Sequence, residues 1–168
     1  MDISHIAKAI ERLEAQIEKS NFTGWDPYDV QDSYIFRCLE GIRPKLFGKI
    51  LIRVFLEISF FFPLAIRKAL GISKDINSKG LGLLMSGYIN LFLLSGKKSF
   101  LEKSLEISEI LQNKANNNYQ GMSWGYPFDW RSPILIPQDT PSSVVSSVVG
   151  ESFFKLYLIT KEEKYLEI

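Results

Sequence analysis

Three aspartates lie among aromatic residues in two segments that contain Gly and Pro. Asp26 and Asp29 belong to GWDPYD (24–29), and Asp129 lies between two aromatic residues in GMSWGYPFDWRS (121–132). Glycosyl chemistry uses two carboxyl groups a few ångströms apart, one as the acid and the other as the base or nucleophile. Aromatic rings exclude water from a neighbouring carboxyl group, which suits a general acid. The pattern predicts acid/base chemistry at a glycosidic or uronic-acid carbon, with Asp129 as the acid and Asp26 or Asp29 as its partner.

The aromatic side chains around these aspartates predict a saccharide-binding surface. Large apolar residues normally lie on helices or strands, but Gly and Pro here disfavour long regular structure. The apolar faces of a pyranose ring stack on Trp or Tyr, whose rings are large and rigid, while charged side chains take its hydroxyl groups. The residues expected to bind the saccharide are Trp25, Tyr28, Trp124, Tyr126, Trp130, Arg131 and Glu151.

Each carboxylate also has a structural interpretation. Asp26 suits an Asx turn, and Asp29 suits the N-cap of a helix. Asp129 would instead pair with Arg131 or accept backbone N–H groups that hold the loop. Glu151 would form a salt bridge with the lysine four residues further along a helix. The sequence leaves both interpretations open.

Composition argues against several other kinds of function. The 168 residues are 46% apolar and 23% charged, as in a globular domain with a core. A net charge of +1, with scattered Lys and Arg, argues against nucleic-acid binding. A single histidine, His5, and a single cysteine, Cys38, argue against a multi-His metal site, a His-based triad and an internal disulfide. We therefore expect no cofactor, no metal and a cytoplasmic location.

The most apolar segment, ILIRVFLEISFFFPLAI (50–66), approaches the length of a membrane span. Arg53 and Glu57 lie in its middle, and Pro63 follows them. Two central charges disfavour insertion into a bilayer, whereas their i, i+4 spacing favours a helix in water. We expect a helix buried between other helices and no transmembrane segment.

Apolar periodicity predicts an all-α chain. The first stripe, at spacings of three and four residues, indicates a helix over about residues 3–19. Thr140 and Pro141 are typical of an N-cap and a first helical position. The remaining predicted helices cover about residues 29–40, 46–69, 80–95, 98–114 and 141–159, and a last one begins after Thr160 and is cut off at Ile168.

An internal repeat supports this layout. LFLLSGKKSFLEK (91–103) aligns without gaps with LYLITKEEKYLEI (156–168), an offset of 65 residues. Each copy predicts an apolar helix, a short polar turn and a second helix. Such hairpins stack side by side, because one hairpin alone cannot bury its apolar face. The short turns should then share one rim, and the long loops at 21–29, 71–80 and 115–140 should share the other.

Three segments resemble one family. GWDPYD, NSKGLGLLMSGYINLFLLSGKKSFLE, and WGYPFDWRS with the following TPSSVVSSVVGESFFKLY are similar to (α/α)6-toroid proteins, also called six-hairpin glycosidase-like. The resemblance implies a link to surface-polysaccharide genes and a saccharide or polysaccharide ligand. Family members are about twice as long. The resemblance therefore implies that residues 1–168 are one all-helical domain, an incomplete toroid from the N-terminal part of a longer protein. Such a fragment would oligomerise through its uncovered apolar faces.

Two other functions remain open. The chain would also suit a non-catalytic helical-repeat scaffold whose aromatic rim binds a protein partner. It would alternatively be another toroid enzyme, a terpenoid cyclase or an epimerase, although the DxDD and DDxxD motifs of terpenoid cyclases are absent. Glycosidase, lyase and epimerase-like reactions are not distinguished by the sequence.

Overall fold

Helices make up most of the chain, as predicted. The computed structural model describes residues 3–43, 46–131 and 134–168. Two 3-10 turns, Asp29–Asp32 and Glu163–Tyr165, and four short strands complete the fold in these ranges. The α-helices of the described ranges are α1 (Ile3–Ser20), α2 (Tyr34–Gly41), α3 (Leu46–Phe61), α4 (Pro63–Leu70), α5 (Ser78–Ser95), α6 (Lys98–Asn113) and α7 (Ser143–Thr160).

Two predicted helices are each divided in the structure. The helix predicted over 29–40 is a 3-10 turn followed by α2, because Ser33 has an extended backbone (φ −65°, ψ 147°). Its Oγ accepts the N–H of Phe36 at 3.2 Å and thereby caps α2. The helix predicted over 46–69 ends at Phe61, because Pro63 cannot continue a helix and instead occupies the first turn of α4.

The C-terminal predictions need two corrections. Thr140 and Pro141 lie before the helix, and the N-cap of α7 is Ser142. Ser142 has an extended backbone (φ −120°, ψ 126°), so the helix begins after it, and its N–H donates to the carbonyl of Trp124 at 2.9 Å. The last predicted helix is a single 3-10 turn, Glu163–Tyr165.

The segment predicted as irregular forms two antiparallel hairpins. β1 (Asn116–Tyr119) pairs with β2 (Gly121–Ser123), and β3 (Trp130–Arg131) pairs with β4 (Leu135–Ile136). Hairpins this short gain little from their own pairing and depend on packing against the rest of the chain.

The two copies of the repeat have the same turn geometry. Gly96 and Lys161 both end a helix in the left-handed conformation, at φ 68° and φ 60°. Each donates its N–H at 2.8 Å to the carbonyl four residues earlier, on Phe92 and Tyr157 respectively. A left-handed C-terminal residue satisfies one of the otherwise unpaired helix carbonyls.

The repeat also extends to the rings that close each hairpin. Tyr88 stacks on Phe100 and Phe153 stacks on Tyr165, each with ring centroids 6.1 Å apart. Both members of the second pair lie 65 residues after those of the first. The structure therefore confirms the first helix and the turn of the predicted repeat, whereas the second helix of the second copy is only the 3-10 turn Glu163–Tyr165.

The main core lies between α5, α6 and α7. α5 packs against both other helices. Gly82 permits a close approach to α7, because a Cβ there would lie 3.2 Å from the Cα of Val149. The buried members of this core are Leu81, Met85, Tyr88, Ile89, Ile107, Leu111, Trp124, Val145, Val149, Phe153, Leu156 and Tyr165.

The expectation that the 50–66 segment is a helix buried between other helices is met on one side only. α2 and α4 pack on α3, whose buried residues are Gly48 and Ser59. The opposite side is open to solvent, and Phe61 is 74% exposed. Among the described helices, none has the length and apolar character needed to cross a membrane.

The three long loops meet at one end of the molecule, as the repeat predicted. Gly24 and Asp75 exchange two backbone hydrogen bonds of 2.9 Å, which join the first two loops. The N–H of Asp129 donates to Oδ1 of Asp32 at 2.9 Å, which joins the third loop to the first 3-10 turn.

Candidate functional site

A pocket of about 570 Å³ lies where these loops meet, and we call it the loop pocket. Its walls come mainly from the segment between α1 and α2, the loop before α5, the start of α5 and the segments on either side of the second hairpin. Polar groups and aromatic rings share this lining. They include Asp26, Asp29, Asp32, Ser33, Arg37, Asp75, Asn77, Phe22, Trp25, Tyr34 and Phe128.

Asp26 joins two of the loops. Its Oδ1 accepts the N–H of Tyr28 at 2.9 Å, which is the Asx turn considered above. Its Oδ2 accepts the side-chain amide of Asn77 at 2.7 Å. Asp26 therefore lines the loop pocket and holds the loop together.

Asp29 belongs to a buried ion pair. Arg67 of α4 is 3% exposed, and its Nε lies 2.9 Å from Oδ1 of Asp29. Asp29 is the first residue of the 3-10 turn rather than its N-cap, and its Oδ2 accepts the N–H of Asp26 at 3.0 Å. Burial raises the pKa of the Asp29 carboxyl, and the Arg67 guanidinium opposes that rise. Loss of either partner would leave a buried charge uncompensated.

Asp32 is a pocket carboxylate that the sequence prediction missed. It is half-buried, and burial raises the pKa of its carboxyl. Its Oδ1 accepts the N–H of Asp129, and within the described residues no hydrogen bond reaches its Oδ2. The available signal was the spacing of Asp26, Asp29 and Asp32, three residues apart, which predicts carboxylates on one side of a helical turn.

Asp129 has both carboxylate oxygens engaged. Its Oδ2 accepts from Nη2 of Arg131 at 3.0 Å, and its Oδ1 accepts the N–H of Gln138 at 3.0 Å. Asp129 is not among the residues that line the loop pocket. These contacts are those of the structural alternative, and the role of Asp129 as a general acid stays a prediction.

Arg131 attaches the second hairpin to α2. Its Nη1 lies 3.0 Å from Oε2 of Glu40, and its backbone N–H donates to Oε1 of Gln31 at 2.7 Å. The guanidinium is thus shared between Glu40 and Asp129 and holds β3 in place.

Trp124 lies in the core, so the expectation that its ring forms the wall of an open site needs correction. Trp124 is 2% exposed and stacks on Phe153 with centroids 6.0 Å apart. Its indole N–H donates to the carbonyl of Leu111 at 2.8 Å. The end of β2 brings this loop residue onto α6 and α7, where a large ring fills the core.

Four other rings form an aromatic cluster, which consists of Tyr28, Tyr126, Phe128 and Trp130. The Trp130 ring lies 4.9 Å from that of Tyr28 and 5.5 Å from that of Tyr126, measured between centroids. Phe128 is buried and also lines the loop pocket, so the aromatic cluster adjoins the pocket.

Trp25 lines the loop pocket directly. Its indole N–H donates to the carbonyl of Ile72 at 2.9 Å, which orients the ring. The Nζ of Lys74 lies 5.0 Å from the ring centroid, within the range of a cation–π interaction.

Glu151 lies apart from both groups. It forms an i, i+4 salt bridge of 2.8 Å with Lys155 on α7, and its side chain is 65% exposed. Glu151 is not among the residues that line the loop pocket.

The fold and pocket define a mostly helical protein with an acidic, aromatic pocket between its long loops. Comparison of the chain with protein-family models, curated proteins and solved structures finds no match. The likeness to six-hairpin glycosidase-like proteins therefore rests on the sequence segments described above.

Proposed function

We propose that the protein binds a saccharide in the loop pocket and acts in polysaccharide metabolism. The observation that supports this most strongly is the joint lining of one pocket by aromatic rings and short polar side chains. A pyranose presents an apolar face and several hydroxyl groups, which match Trp25 and the carboxylates around it. The volume of about 570 Å³ falls within the usual range for small-molecule sites.

The charges of the pocket favour a neutral or amino sugar. Its described lining contains four aspartates and one cationic residue, Arg37. Asp29 is balanced by Arg67, whereas Asp26 and Asp32 face the pocket without a salt bridge among the described residues. Carboxylates accept hydrogen bonds from sugar hydroxyls but repel a uronic acid.

Calorimetric titration tests this proposal. Neutral oligosaccharides of the gluco-, manno- and N-acetylglucosamine series should include a ligand, and the corresponding uronic-acid oligomers should bind more weakly. Trp25→Ala should lower the affinity about fivefold or more, because the stacking ring is lost. Glu151→Gln, on the exposed side of α7, should leave the affinity unchanged. Absence of binding across the whole panel would overturn the proposal.

General acid catalysis at the same pocket is the second candidate. The environment of Asp32 supports this candidate, because Asp32 lines the pocket and burial raises the pKa of its carboxyl. We propose Asp32 as the acid in place of Asp129, with Asp26 as the second carboxylate. Asp32→Asn should retain ligand but lose turnover, and Asp129→Asn should retain both. Loss of turnover only in Asp129→Asn would restore the original assignment.

We also propose that the hairpins are arranged as in an (α/α)6 toroid, as the resemblance implies. The shared turn geometry of the two repeat copies and the meeting of the long loops support this arrangement. In such an arrangement successive long loops surround one opening, where the loop pocket would lie.

A further inference from the structure

α5 and α7 are equivalent helices of the repeat but differ in which face is covered. α5 buries Gly82 and Ile89 on the side that meets α7. The equivalent residues of α7, 65 positions later, are Ser147 and Phe154. Both are exposed, and Phe154 is 51% exposed. The face of α7 that corresponds to the docked face of α5 is therefore uncovered.

The converse holds for the other face of α5. α7 buries Val145 and Ser152. Their equivalents in α5 are Gly80 and Gly87, which are exposed. Leu83 lies between these glycines and is 59% exposed. The face of α5 that corresponds to the packed face of α7 therefore has exposed residues.

We propose that a second copy of this chain docks head to tail on these faces. The outer face of α7 is Val144, Ser147, Phe154 and Leu158, and the outer face of α5 is Leu83, Gly87 and Leu94. The outer face of α7 in one copy packs on the outer face of α5 in the next copy. This contact continues between copies the α5–α7 interface that exists within each copy.

The two outer faces are complementary in residue size, as are the faces of α5 and α7 that pack together within one copy. There, Gly82 receives the backbone of Val149 on α7. Between copies, the small Ser147 would lie opposite Leu84 and the carbonyl of Leu83, which are the equivalents of Val149 and Val148 by the offset of 65 residues. Gly87 has open space where a Cβ would stand, which leaves room for a ring such as that of Phe154.

The two faces differ, so the association is heterologous. A heterologous contact leaves one free face at each end and adds further copies until a ring closes or a filament grows. The association requires no saccharide, so its test is independent of the proposed function.

Analytical ultracentrifugation of the whole chain, without ligand, tests the proposal. The wild type should increase in mean mass with concentration beyond the dimer. Phe154→Asp and Leu83→Asp should each remain monomeric, because each loses one of the two faces. Leu13→Asp, at an exposed position of α1, is the matched control and should associate as the wild type does.

An equimolar mixture of Phe154→Asp and Leu83→Asp gives the sharpest result. Each variant retains the face that the other lacks, so one intact interface forms and the mixture should stop at the dimer. Circular dichroism confirms that both variants keep wild-type helix content. A wild type that is monomeric at all concentrations would overturn the proposal, as would association that both variants retain.

Discussion

The three tryptophans differ in environment although all lie in loops. Trp124 is in the core, whereas Trp25 lines the loop pocket and Trp130 belongs to the aromatic cluster. The sequence could not predict which of the three is buried, because apolar residues in a loop show no periodicity that indicates burial. The path of the loop over α6 and α7 decides which ring is buried, and that path depends on tertiary contacts.

Trp124→Ala should therefore be the most destabilising of the three tryptophan substitutions. Removal of a fully buried ring typically costs about 3–5 kcal/mol, and here the indole hydrogen bond to Leu111 is lost as well. Trp25→Ala and Trp130→Ala should cost less, because both rings are only half-buried. Urea unfolding followed by circular dichroism measures all three losses. Equal losses would contradict the core assignment of Trp124.

Asp32→Asn should stabilise the fold in a pH-dependent way. Burial raises the pKa of the folded Asp32 carboxyl above its ordinary value of 3.8. The folded state thus binds this proton more tightly than the unfolded state, and wild-type stability falls as pH rises from that value through the folded pKa. Asn carries no such proton but still accepts the N–H of Asp129 through its carbonyl oxygen.

The stability difference between Asp32→Asn and wild type should grow from about pH 4 and become constant above the folded pKa. Urea unfolding at intervals between pH 3 and pH 8 measures this difference. Glu151→Gln is the matched control, since its carboxylate is exposed, and its difference from wild type should vary little with pH. A difference that is constant over this range for Asp32→Asn would contradict the effect of burial.

At the scale of elements, the sequence predicted helix bounds best where a regular apolar stripe lies between clear turn residues. α1, α5 and α6 lie within about two residues of their predicted bounds, because their apolar stripes and turns act locally. The break before α4 and the shift of the α7 start depend on single residues, Pro63 and Ser142, whose effects compete with periodicity. The two hairpins escaped prediction because strands of two to four residues give almost no periodic signal.

The segment between the hairpins depends on close backbone packing at Gly125. A Cβ on Gly125 would fall on the backbone of Asp139 and Thr140, which cannot move aside as a flexible side chain can. Gly125→Ala should therefore displace the loop and lower the unfolding free energy by about 1–3 kcal/mol. Gly121→Ala is the matched control, since its Cβ would meet nothing within 4 Å. Similar unfolding midpoints for the two variants would show that this close approach is not required.

At the scale of the whole molecule, the repeat predicted the meeting of the long loops but not the content of the site. The offset of 65 residues predicts that equivalent turns lie at one end and that the long loops share the other. Which carboxylates face the pocket depends on local partners. Both Asp29 and Asp32 line the pocket, but Arg67, 38 residues from Asp29, pairs with the Asp29 carboxylate, whereas Asp32 has no salt bridge among the described residues. Such long-range pairs cannot be inferred from spacing alone.

Stability should be unevenly distributed along the chain. The main core joins α5, α6 and α7 with Trp124 and Tyr165, and its fully buried residues all belong to these parts. α3 instead exposes much of its apolar surface, and α1 is largely solvent-exposed. Local opening requires less free energy where fewer apolar contacts are lost.

Native-state hydrogen exchange should therefore show the slowest amide exchange in α5 and α7 and faster exchange in α1 and α3. Trp124→Ala should accelerate exchange in α5–α7 more than in α3, because it opens the main core directly. The measurement is made at a concentration where the chain is monomeric. The proposed contact between copies then cannot protect the amides of α5 and α7. If all helices exchanged through one opening with the same free energy, the division of the molecule into a stable core and weaker flanking helices would be wrong.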